Sequence, residues 1–121
     1  MKRILILMAG LMLTADVAWG HGTDRGPQGG VRVDAGNYHV EAVAKDTSLS
    51  VYLYDERNNP VDATGASATG IFVVGGKSQR IELKPVGANR LAGTASVPMP
   101  ATLKGAVQIS LPGEKPLQAK F

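Results

Sequence analysis

The sequence predicts an all-β protein, an immunoglobulin-like β-sandwich of seven to eight short antiparallel strands that follows a cleaved signal peptide. Three observations lead there. From residue 31 onward apolar side chains recur with a period of two, as they do in strands with one face against a core. Turn-forming residues interrupt that pattern about every eight to twelve positions, the rhythm of a sandwich or barrel. No stretch sustains the period of an amphipathic helix.

Taken in order, residues 1–20 read as an export signal. Lys2 and Arg3 make a basic start, Ile4 to Leu13 carries no charge, and Ala18-Trp19-Gly20 supplies small residues at a cleavage site. Asp16 ends the apolar stretch before the roughly 20 residues a membrane span requires, and no later stretch is long and apolar enough, so the protein is expected not to be membrane-embedded. A cut after Gly20 leaves a mature chain from His21 to Phe121 and a periplasmic location. A cut after Ala18 is disfavoured by Asp16 at the third position before it. Residues 21–30 (His-Gly-Thr-Asp-Arg-Gly-Pro-Gln-Gly-Gly) are too rich in Gly and Pro for regular structure and read as a flexible arm. The sandwich domain is placed at 31–121.

Val31 to Val33 opens the strand series and Asp34 to Asn37 turns it. Tyr38 to Ala44 sets Tyr38, Val40, Ala42 and Ala44 on one face against His39, Glu41 and Val43 on the other. In the next strand Leu49, Val51 and Leu53 alternate with Ser50, Tyr52 and Tyr54, and the polar stretch Asp55 to Pro60 ends in an Asn-Pro turn signal. Ile71-Phe72-Val73-Val74 is continuously apolar, which predicts a strand covered on both faces or lying at the centre of its sheet. Gly75-Gly76-Lys77 follows as a hairpin turn. Ile81 and Leu83, then Leu91, Ala95 and Val97, then Val107, Ile109 and Leu111 form successive inward sets. Pro112 to Pro116 makes the final turn, after which Leu117, Ala119 and Phe121 point inward.

Composition narrows the chemistry. Without Cys there is no disulfide framework, so packing alone must stabilise the domain. The net charge of +3 comes from basic residues scattered singly, without the cluster that tracks a phosphate backbone, and no nucleic-acid partner is expected. No enzymatic role is expected either, since neither of the two histidines stands beside a nucleophile and Asp55-Glu56 is a carboxylate pair in a turn.

Chemistry therefore concentrates near the start of the mature chain. Cleavage after Gly20 would give His21 a free amine beside its imidazole, a chelating pair suited to Cu(II), Ni(II) or Zn(II). His39 would add a third nitrogen. Glu41, on the same strand face as His39, is a candidate oxygen ligand or the acceptor that orients an imidazole. The metal candidates are thus His21, His39 and Glu41, with no catalytic residue.

The segment Gly26-Pro27-Gln28-Gly29-Gly30-Val31, followed by Asp34-Ala35-Gly36-Asn37-Tyr38-His39-Val40-Glu41 and then Val51-Tyr52-Leu53-Tyr54 and Pro60-Val61, resembles a module near the N-terminus of periplasmic adaptor proteins of heavy-metal (RND-type) efflux pumps, and small stand-alone periplasmic proteins like it. In that family the position between the Pro and the Gly-Gly pair is often His; here it is Gln28. The resemblance implies an accessory role in copper, zinc or nickel homeostasis or resistance, with a metal-efflux adaptor or pump as partner. The alternative expectation is a non-metal interaction module that docks on an efflux or envelope complex through sheet edges or a Tyr52/Tyr54 face.

Overall fold

A computed structural model describes residues 24–121. The signal peptide expected at 1–20 and the candidate ligand His21 lie outside the described residues. Among those described there is no helix, and nine strands follow one another: β1 (Asp24–Arg25), β2 (Val31–Ala35), β3 (Tyr38–Lys45), β4 (Ser48–Asp55), β5 (Ser67–Val74), β6 (Lys77–Gly87), β7 (Arg90–Thr94), β8 (Gly105–Ser110) and β9 (Leu117–Lys120). All pairings are antiparallel, and the hydrogen-bonded order is β1-β2-β3-β4-β7-β6-β5-β8-β9. The all-β architecture is the one the period-two pattern predicts.

The meander β5-β6-β7 has β4 returning beside β7 and β8 returning beside β5, a Greek-key arrangement at each end. Two layers result, and β6 belongs to both. Its first part, Lys77 to Leu83, pairs with β5, while Lys84 to Gly87 pairs with β7, with a register shift between Pro85 and Gly87. A bulge of this kind bends a strand and increases its twist, here just beyond the point between Leu83 and Lys84 where the ribbon changes layer. The curl brings β2 against β9. Near that closure the Tyr38 hydroxyl donates to both carboxyl oxygens of Glu114, each at 2.7 Å. That hydrogen bond is the main reason the phenol is held above its ordinary value of 10.0.

The core lies where the alternation puts it. Val40, Leu49, Val51, Leu53 and Leu91 come from the first layer and Phe72, Val107, Ile109 and Ala119 from the second, all without exposure. Burial of such a side chain contributes about 1.5–3 kcal/mol. The Phe72 ring meets Phe121 with centroids 6.0 Å apart.

Two expectations change on the outer faces. Of the arm expected at 21–30, residues 24 and 25 pair with Arg32 and Val31 as β1, and 26–30 form the connecting turn. In the Ile71–Val74 run only Phe72 is enclosed; Ile71 and Val73 are 49% and 46% exposed. β5 is central in its hydrogen bonding, between β6 and β8, but its partner β6 follows after a two-residue turn. So short a turn leaves no chain to fold over the outer side.

Candidate functional site

β2 and β3 are joined by a two-residue turn, Gly36 and Asn37, which fixes their register so that Asp34 faces His39 and Arg32 faces Glu41. Cross-strand partners share a face, so the outward side of this hairpin carries Asp34, His39, Arg32 and Glu41 together. His39 Nδ1 lies 2.6 Å from Asp34 Oδ1, an ion-pair distance without hydrogen-bond alignment. The Nδ1 atom is shielded from solvent although the imidazole is 21% exposed, and the Asp34 side chain is 75% exposed.

Glu41 is fully buried, unlike the surface carboxylate its place in the alternation suggests. The β1–β2 turn covers it. The Gln28 N–H lies 2.9 Å from Oε2 and 3.2 Å from Oε1, and the Gly30 N–H donates to Oε2 at 2.8 Å. These donors meet the requirement that a buried carboxyl group be hydrogen-bonded. The turn is itself closed by Gly29 N–H to Gly26 C=O at 2.9 Å and Gly26 N–H to Gly30 C=O at 3.0 Å, with Gly29 at φ +79°. This is the three-residue hairpin loop in which a left-handed glycine follows the turn, here with Pro27 at its favoured second position. A Cβ on Gly26 would collide with the Glu41 carboxyl group, so the backbone rests directly on that side chain. His39 and Glu41 thus share a strand face as expected, but the Glu41 carboxyl group holds the turn, and the group against the imidazole is Asp34.

Asp34 reads in the sequence as the start of a turn. Its role follows only from the hairpin register: a two-residue Gly36-Asn37 turn makes 34 the partner of 39. The loop after β4 closes over the same side. Arg32 Nη1 donates to Asn58 Oδ1 at 2.7 Å, and Asp55 Oδ1 accepts the N–H groups of Arg57 and Asn59, each at 2.9 Å. The backbone N–H of Asn59, foremost, holds the Asp55 carboxyl below its ordinary 3.8. Asp55 is therefore a loop cap. Tyr54, bridged to Pro60, is only 5% exposed, and Tyr52 is half-buried, so the pair does not form the open aromatic face that docking would use.

A cleft of about 300 Å³ lies beside the turn, between Arg25, Gly29, Gly30 and Val43 on one side and Ala101 and Leu103 on the other; it includes neither His39 nor Asp34. Among the described residues no three His, Cys, Asp or Glu side chains come together as a metal site. The Asp34–His39 pair supplies one imidazole and one carboxylate. No protein-family model, characterised protein or solved structure matches the chain.

Proposed function

We propose that the protein is a periplasmic accessory protein that binds or chaperones a divalent transition metal, copper, zinc or nickel, in metal homeostasis or resistance. The observation that supports this reading is the Asp34 carboxylate against His39 Nδ1. Metal-ligating histidines nearly always turn one ring nitrogen toward such a partner, which orients the ring. Nε2 of His39 is then the nitrogen left for an ion.

One imidazole alone is a weak site, and the proposed remainder is the amine and imidazole of His21. β1 runs antiparallel to β2 with Asp24 beside Arg32, so its N-terminal direction points toward the end of β2 that carries Asp34. Arg32 and Asp34 are about 7 Å apart along the strand, and the three residues from Asp24 back to His21 span at most roughly 10 Å. A terminus at His21 is within reach of His39. In this reading Glu41 acts at one remove, by fixing the turn from which β1 departs.

The test is calorimetric titration of a chain beginning at His21 with Cu(II), Ni(II) and Zn(II). One ion binds per chain, and Asp34→Asn and His39→Ala each weaken binding about 10–100-fold. An additional residue ahead of His21 weakens it as well, because the amine is displaced. Absence of binding by all three ions overturns the proposal.

A further inference from the structure

The outer surface of the second layer is a grid fixed by strand register. Ile71 lies between Arg80 on β6 and Ala106 on β8, and Ala106 lies beside Lys120 on β9, so one row across four strands reads Arg80, Ile71, Ala106, Lys120. In the adjoining row Val73 sits beside Ser78 and donates its N–H to the Lys104 carbonyl at 2.8 Å. Ile71 and Val73 are about half exposed, and Arg80, Lys104 and Lys120 are exposed. Strands are spaced about 4.8 Å apart, which separates the Arg80 and Lys120 backbones by roughly 14 Å. The result is an aliphatic strip with cations on three sides.

Charge is divided between the two halves of the chain in the same sense. Residues 24–66 hold seven Asp and Glu against four Lys and Arg, whereas residues 67–121 hold two against seven. Within the second half Glu82 pairs with Arg80, its Oε1 lying 3.1 Å from Nε, which offsets part of the Arg80 charge and leaves the terminal guanidinium nitrogens outside that contact. Lys104 and Lys120 make no ion pair among the described residues.

We propose that this face docks an acidic protein partner, one that presents an aliphatic contact between carboxylates. Charge complementarity selects that occupant over the others. Two copies of this chain meeting through the face about a two-fold axis would set Arg80, Lys104 and Lys120 against their own like charges. A lipid surface is engaged by a deeply inserted apolar face, commonly with Trp or Phe at the boundary, whereas this grid offers two half-exposed aliphatic side chains among Ser78 and the cations, with no aromatic one. The inference is independent of metal binding.

The probe is a fluorescein-labelled random copolymer of glutamate and alanine, with polyglutamate as the comparison lacking apolar side chains. The protein binds the copolymer more tightly than polyglutamate, and affinity falls with added salt. Arg80→Glu combined with Lys120→Glu weakens binding about tenfold or more, and Ile71→Ser with Val73→Ser about fivefold, while Lys45→Glu in the other layer changes it less than about twofold. All these positions are exposed, and unchanged thermal midpoints check that the variants fold. Equal binding of the two polymers, or no effect of the Ile71 and Val73 changes, overturns the proposal in favour of diffuse charge attraction. So do binding confined to vesicles with 30 mol% phosphatidylglycerol, which assigns the face to lipid, and a concentration-dependent dimer abolished by Ile71→Ser, which assigns it to a second copy.

Discussion

The outer face over β2 and β3 and the outer face over β5 and β8 arise from the same strand alternation and end in opposite conditions. On the first, Glu41 is fully enclosed. On the second, Ile71 and Val73 stand open to solvent. What separates them is the chain available nearby. The β1–β2 turn and the 55–60 loop fold onto the first face, held by Glu41 and by the Arg32–Asn58 hydrogen bond, whereas β5 and β6 are linked by a turn too short to cover anything. Polarity thus determines the inward positions, and loop geometry determines which outward positions see water.

The contrast can be broken most severely at the core both layers share. Phe72→Ala removes a fully buried ring that touches Phe121 and is expected to cost about 3–5 kcal/mol in denaturant unfolding, in one transition. Two separate transitions would mean that the layers are independent.

Next in size is the anchor of the covered face. Glu41→Ala leaves the N–H groups of Gln28 and Gly30 without their acceptor, a loss of about 2–3 kcal/mol, together with faster proteolysis between residues 24 and 30. Gly26→Ala destabilises the native protein by collision with Glu41, and a double-mutant cycle shows that most of its cost disappears in the Glu41→Ala background. Additive effects would refute the contact.

The 55–60 loop responds to acid. Asp55 is at 3.8 in the unfolded chain and lower in the folded one, so its contribution is fully present above about pH 4 and is lost as pH falls through the lowered folded value. The difference in thermal midpoint between the native protein and Asp55→Asn accordingly shrinks on acidification from pH 5 toward pH 2. Persistence of the full difference at pH 2 contradicts the capping role. The smallest effect belongs to the open face: Ile71→Thr changes stability by no more than about 0.5 kcal/mol, measured by the same denaturant titration. A larger loss would show that the residue is packed in solution.

How far the molecule is legible from its sequence follows the same division. Val40, Val51, Leu53, Ile81, Val107 and Ile109 are inward in the pattern and buried in the structure, because alternation and burial share one physical cause. β5 begins at Ser67, ahead of the apolar run, since Ser67-Ala68-Thr69-Gly70 offers only small side chains to mark a strand. Glu41 looks like a surface carboxylate because its burial depends on backbone donors in a loop read as flexible, and backbone donors carry no side-chain signature. Asp34 is hidden for another reason: its relation to His39 is a matter of register, set by the length of one turn.

The approach of β2 to β9 bears on how the molecule comes into being. These strands end at Ala35 and begin at Leu117, so the contact that completes the ring joins segments near opposite ends of the domain. Chains whose native neighbours are this remote in sequence fold slowly, on the millisecond-to-second scale, since much of the chain must be ordered before the closing contact returns anything. Until the final strand is in place the end of β2 beyond its short pairing with β1 lacks its contact from the second layer, and an incomplete chain is an open ribbon with unprotected edges.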